Sequence, residues 1–112
     1  MAEKVRREAR MINPLLKGLH ELGGEAPCDE VTRNVVLPRG VGKDERGPAV
    51  KHAADYLVAG GYLVRDGGVW CLTKAGASLR LPLQRDDIED VMRAGHIRWC
   101  GKPYRLPDDA DL

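Results

Sequence analysis

The sequence predicts an α+β fold that is mainly α: a three-helix core followed by a two-stranded hairpin, with a C-terminal helix and an extra hairpin beyond it. Two observations carry this expectation. Apolar residues recur at helical spacing in three stretches, and two short β-rich runs flank Asp66-Gly67-Gly68 directly after the third. The chain has 112 residues, 43% hydrophobic and 31% charged, which suffices for one core and not for two. A single domain over 1–112 is expected, made of an N-terminal helical arm (1–12), a core (13–80) and a C-terminal extension (81–112).

The elements follow in order. Residues 3–12, EKVRREARMI, place Val5, Ala9 and Ile12 on one side and predict the arm. Asn13 suits a helix cap and Pro14 a first helical position, and the residue before a proline disfavours helix, so a break is expected at Asn13. Leu15, Leu16, Leu19 and Leu22 then mark the first core helix, ended by Gly23-Gly24. Ala26 falls in a short strand. A second helix starts from Pro27, carries Val31 and Val35 with Cys28 and Val36, and ends before Pro38. LPRGVGKDERG, residues 37–47, reads as a loop. From Pro48 a third helix places Val50, Ala53, Ala54, Leu57 and Val58 on one face as far as Gly60-Gly61. YLVRDGGVWCLT gives the hairpin, and Thr73 caps a short turn over Lys74 to Leu79.

In the extension, Asp86, Asp87 and Glu89 suit the positive end of a helix dipole, with Ile88, Val91 and Met92 as its apolar stripe. Gly95 and Gly101 argue against helix around His96 and Cys100, and HIRW and PYRL flank Cys100-Gly101-Lys102 as in another hairpin. This part either caps the core or supports a homodimer or protein partner. The expected core holds Leu16, Leu19, Val31, Val35, Ala53, Leu57, Leu63 and Leu72, with Trp70 and Tyr56 at least half-buried and Trp99 and Tyr104 inside.

Helix, strand, helix, loop, helix and hairpin is the winged helix-turn-helix order, with the hairpin as a two-stranded wing. HAADYLVAGGYLVRDGGVWCLTKAG, residues 52–76, and PLLKGLHELGGEAP, residues 14–27, resemble the N-terminal domain of Mrr-type restriction endonucleases. The resemblance implies a winged helix that recognises DNA. It does not extend to those enzymes' nuclease domain, because residues 81–112 contain no Asp…Glu-x-Lys arrangement.

Net charge is only +1, so a nucleic-acid reading depends on how charge is distributed, and it is distributed in blocks. In a winged helix the third helix enters the major groove and the wing touches the adjacent backbone. The residues expected to contact double-stranded DNA are then Lys43, Arg46, Lys51, His52 and Asp55 on or before the third helix, Arg65 on the wing, and Lys74 after it. Lysine and arginine neutralise phosphates there, and Asp55 can accept from cytosine N4. Asp44 and Glu45 oppose them. His52 reads either as a packed ring or as a groove contact.

These features predict a small transcriptional regulator or a stand-alone recognition module of a defence-type system; the alternative is a winged helix used as a protein–protein interaction module. No enzyme is expected, since PRGVGKDERG lacks the spacing of a phosphate loop and no metal-binding carboxylate set is present. Cys28, Cys71 and Cys100 show no CxxC spacing, so reduced, mostly buried thiols, no metal and no cofactor are expected. No apolar run approaches a membrane span and MAEKVRREAR lacks a signal peptide's apolar segment, which predicts a cytoplasmic protein without a membrane partner.

Overall fold

The structure, a computed structural model, describes residues 5–108. The first four residues of the expected arm, and Asp109 to Leu112 of the acidic tail, lie outside the described residues. The architecture is α+β and mainly helical, with one small antiparallel sheet.

Helix α1 (Arg7–Glu21) is unbroken and merges the expected arm with the expected first helix. Pro14 lies inside it, so the break at Asn13 does not occur. A proline in a helix interior costs roughly 3 kcal/mol. On either side of it Ala9, Met11, Ile12, Leu15, Leu16 and Leu19 are buried, and each large apolar side chain removed from water returns about 1.5–3 kcal/mol. Asn13 does not cap the helix. Its Oδ1 accepts from the Leu83 amide at 2.6 Å and its Nδ2 donates to the Leu83 carbonyl at 3.0 Å, tying the C-terminal extension to α1.

Strand β1 (Glu25–Pro27) contains Ala26, and α2 (Cys28–Asn34) follows without a gap. The second helix ends sooner than expected: Val35 is already extended, and Val36, expected on the apolar side, is 74% exposed. After a 3₁₀ turn (Lys43–Glu45), α3 (Arg46–Ala59) begins two residues ahead of Pro48, whose missing N–H costs nothing in a first turn. Strands β2 (Leu63–Asp66) and β3 (Val69–Leu72) form the predicted hairpin. Gly67 and Gly68 between them have φ of 56° and 83°, the two positive values that a tight two-residue connection requires. The sheet is ordered β1-β3-β2, with Ala26 opposite Trp70. A short α4 (Lys74–Ala77) is capped by Thr73, whose hydroxyl oxygen accepts from the Gly76 amide at 3.1 Å.

Helix α5 (Arg85–Cys100) departs most from expectation. It has the predicted acidic first turn, but it runs through Gly95 and takes in His96 and Cys100, so the extra hairpin is absent. Gly95 is there to let helices touch: a Cβ on it would sit 2.8 Å from the Tyr56 ring of α3 and 2.7 Å from the Trp99 ring. The turn comes later, at Gly101 in the left-handed conformation.

All eight residues named for the core are buried, and Leu83, Ile88, Val91, Met92, Tyr104 and Leu106 of the extension join the same cluster. Trp70 and Tyr56 are buried too. Trp99 is not: it is 50% exposed and packs edge-on against Tyr56, with ring centroids 4.9 Å apart. The thiols are free, with Cys28 and Cys71 partly buried and Cys100 exposed, against the expectation of mostly buried cysteines. Among the described residues no helix is long and apolar enough to cross a membrane.

Asn13→Ala should lower unfolding free energy by about 2 kcal/mol, because the Leu83 amide and carbonyl lose their partners in a part-buried site. Urea denaturation followed by circular dichroism measures this; an unchanged midpoint would mean that the Asn13–Leu83 pair does not hold the extension.

Candidate nucleic-acid interface

One side of α3 buries Ala49, Val50, Ala53, Ala54, Tyr56 and Leu57, packed against α1 and α5. Its other side presents Pro48, Lys51 and His52 to solvent, with Asp55 partly exposed. Asp55 reaches the hairpin: its Oδ1 lies 2.7 Å from Nη1 of Arg65 on β2, and each side chain keeps about a third of its surface in water. Helix and hairpin are thereby joined by an ion pair, and Lys51 stands one helical turn before it.

His52 is half-exposed, which overturns the packed-ring expectation. Its Nδ1 lies 3.1 Å from Nη2 of Arg7 and 3.8 Å from Glu8 Oε1. A guanidinium only donates, so Nδ1 accepts and a neutral ring carries its proton on Nε2. Arg7 also reaches Glu45 Oε1 at 3.5 Å, and Glu45 accepts from the Gly42 amide at 3.0 Å. The start of α1 thus grips the turn that leads into α3.

Arg46 is used differently. Its Nη1 donates to the Thr32 carbonyl at 3.0 Å and to that of Val35, satisfying carbonyls that the end of α2 leaves without helical partners. It acts as the anchor of the α2–α3 joint. Lys43 on the 3₁₀ turn and Lys74 at the start of α4 are exposed, and among the described residues neither they nor Lys51 enters an ion pair. Lys51, His52, Asp55 and Arg65 therefore share one neighbourhood, while among the described residues no ion pair or side-chain hydrogen bond joins Lys43 or Lys74 to it. Asp44, Glu45 and Asp66 are exposed as well, so the potential is mixed.

Arg7 and Glu8 had no place in the sequence-based site. The signal for them was the apolar phase of Ala9, Ile12, Leu16 and Leu19, which continues across Pro14 and puts the arm on the same helix that packs on α3. Tyr56, on the buried side of α3, has its hydroxyl pushed above the ordinary tyrosine range by burial, with the Arg6 guanidinium pulling the other way. Among the described residues no group of His, Cys, Asp or Glu is placed to hold a metal ion. His96 and Cys100 share α5, but the Nδ1 of His96 is occupied by the Lys102 carbonyl at 2.6 Å. No protein-family model, curated protein or solved structure matches this chain.

The different placements of Arg46 and Lys51 separate in stability. Arg46→Ala should cost about 1–3 kcal/mol, since it strands two backbone carbonyls, whereas Lys51→Ala should stay within about 0.5 kcal/mol. Chemical denaturation of both variants decides, and equal losses would remove Arg46 from the joint.

Proposed function

We propose that this chain is a winged helix-turn-helix module, of the kind that the N-terminal domain of Mrr-type restriction endonucleases represents, and that it binds double-stranded DNA without catalysing a reaction. One observation carries the reading: the exposed Lys51 face of α3 continues onto the β2–β3 hairpin through the Asp55–Arg65 pair at 2.7 Å. The element order α1, β1, α2, α3, β2, β3, with β3 central in the sheet, supports the same reading. Its place is the cytoplasm, as a small regulator or a recognition module.

In this reading α3 lies in the major groove, which is about 12 Å wide and admits a helix. Lys51 neutralises a phosphate at the groove edge, and Lys43 and Lys74 do so on either side. Arg65 approaches the backbone from the wing, exchanging its carboxylate partner for phosphate. Asp55 is then free to accept from cytosine N4. His52 offers Nε2–H as a donor beside the cations. Arg46 contributes by holding α3 at its angle to α2.

The second reading, a winged helix that docks a protein, is favoured by the near balance of charge and by two outward apolar side chains on α5, Ile97 and Trp99.

Fluorescence anisotropy with a labelled duplex at about 50 mM salt should show association, in the roughly 10⁻⁴ to 10⁻⁶ M range for a sequence chosen without knowledge of the site. Lys51→Ala should weaken it and reduce the log–log salt slope by about one. Asp55→Asn should leave non-specific affinity unchanged or improve it, because it releases Arg65 from its ion pair and removes a charge that repels phosphate, while at a site where Asp55 accepts from cytosine N4 specificity should fall instead. If no duplex binds and none of these changes matters, the protein-docking reading takes its place.

A further inference from the structure

Where α5 ends beside the start of α1, a cleft of 530 Å³ opens that the DNA-binding reading does not use. Its volume falls within the roughly 300–1,000 Å³ typical of small-molecule sites. Arg6, Lys102 and Arg105 line it, and among the described residues no carboxylate does. Among the described residues none of the three enters an ion pair. Three cations around one concavity repel each other unless an anion lies between them, and guanidinium forks match the oxygens of phosphate.

Two of the lining residues, His96 and Tyr104, are held by the fold itself. His96, 6% exposed, donates from Nδ1 to the Lys102 carbonyl at 2.6 Å and straps the chain after α5 back onto the helix. Its ring meets that of buried Tyr104 at 5.3 Å between centroids. Tyr104 and Pro103 supply apolar surface beside the cations. Arg6 Nη2 lies 3.8 Å from the Cys100 thiol, a weak contact that a stronger acceptor would displace. Asp86, Glu89 and Asp90 line an adjoining, smaller cleft that shares Pro103, Tyr104 and Arg105 with this one.

We propose that the cleft between the end of α5 and the start of α1 binds a small phosphate monoester carried on a flat apolar group. Arg6 and Arg105 grip the phosphate, Lys102 adds charge, and Tyr104 and Pro103 face the apolar body.

Isothermal titration calorimetry of the whole chain with phenyl phosphate, phenol and inorganic phosphate tests the proposal. Phenyl phosphate should bind saturably, inorganic phosphate more weakly, and phenol not at all. Arg105→Ala should weaken phenyl phosphate by about tenfold or more with an unchanged thermal melt, and Lys51→Ala should leave it as it is. Should Arg105→Ala fail to fold, Lys102→Ala serves in its place. No saturable heat up to about 10 mM, phenol or inorganic phosphate binding as tightly as phenyl phosphate, or indifference to Arg105 would each overturn the proposal. So would loss of duplex binding in Arg6→Ala without any phenyl phosphate binding, which would assign the cleft to nucleic acid.

Discussion

The arrangement rests on the burial of α3 between α1 and α5. Three of its buried residues are alanines, Ala49, Ala53 and Ala54, so its neighbours approach closely without a layer of large side chains between them. The cost is paid in freedom of sequence: where α5 crosses, only glycine at 95 fits beside the Tyr56 ring. With two sides closed, α3 keeps a narrow exposed strip, and Lys51, His52 and Asp55 occupy it. The hairpin then has a single side of α3 to lean on. The Asp55–Arg65 contact follows from that confinement as much as from the attraction of the two charges.

Local pattern made much of this legible. Periodicity found α3 and its inward face, and the Asp66-Gly67-Gly68 turn found the hairpin with its limits nearly right. Both depend on residues within one or two turns of each other. What was illegible depends on partners far along the chain. Pro14 reads as a start because nothing near it shows that Asn13 will bond Leu83, seventy positions away. Gly95 reads as a stop because the ring that needs its missing side chain belongs to α3. In both places the rule for the isolated residue was sound, and a tertiary contact outweighed it.

At the surface the residue types were readable and their states were not. Arg46, Lys51 and Arg65 are interchangeable cations in a sequence, yet the structure gives one to backbone carbonyls and one to a carboxylate, leaving only Lys51 of the three without such a partner. His52 shows the reverse. Expected either as a packed ring or as a groove contact, it lies half-exposed against Arg7, a residue on another helix whose approach no spacing near His52 announces.

These states decide how a face of mixed charge can meet an anion. The Asp55–Arg65 pair is about one-third exposed, and pairs in that setting are worth on the order of 1 kcal/mol or less. It orients the β2–β3 hairpin against α3 without locking Arg65 away, because a charge-assisted hydrogen bond to another anion is of nearly equal strength. A more deeply buried pair would fix Arg65 in place, and loss of one partner would leave an uncompensated charge. Arg46 sits nearer that second case: part-buried, it donates to the Thr32 and Val35 carbonyls and so holds the α2–α3 joint. The cations around the α5 cleft form a third case. Among the described residues no carboxylate lines that cleft, and the contact of Arg6 with the Cys100 thiol is weak. The two basic regions therefore differ in kind: along α3 and the β2–β3 hairpin Arg65 already holds a carboxylate, whereas among the described residues Arg6, Lys102 and Arg105 enter no ion pair.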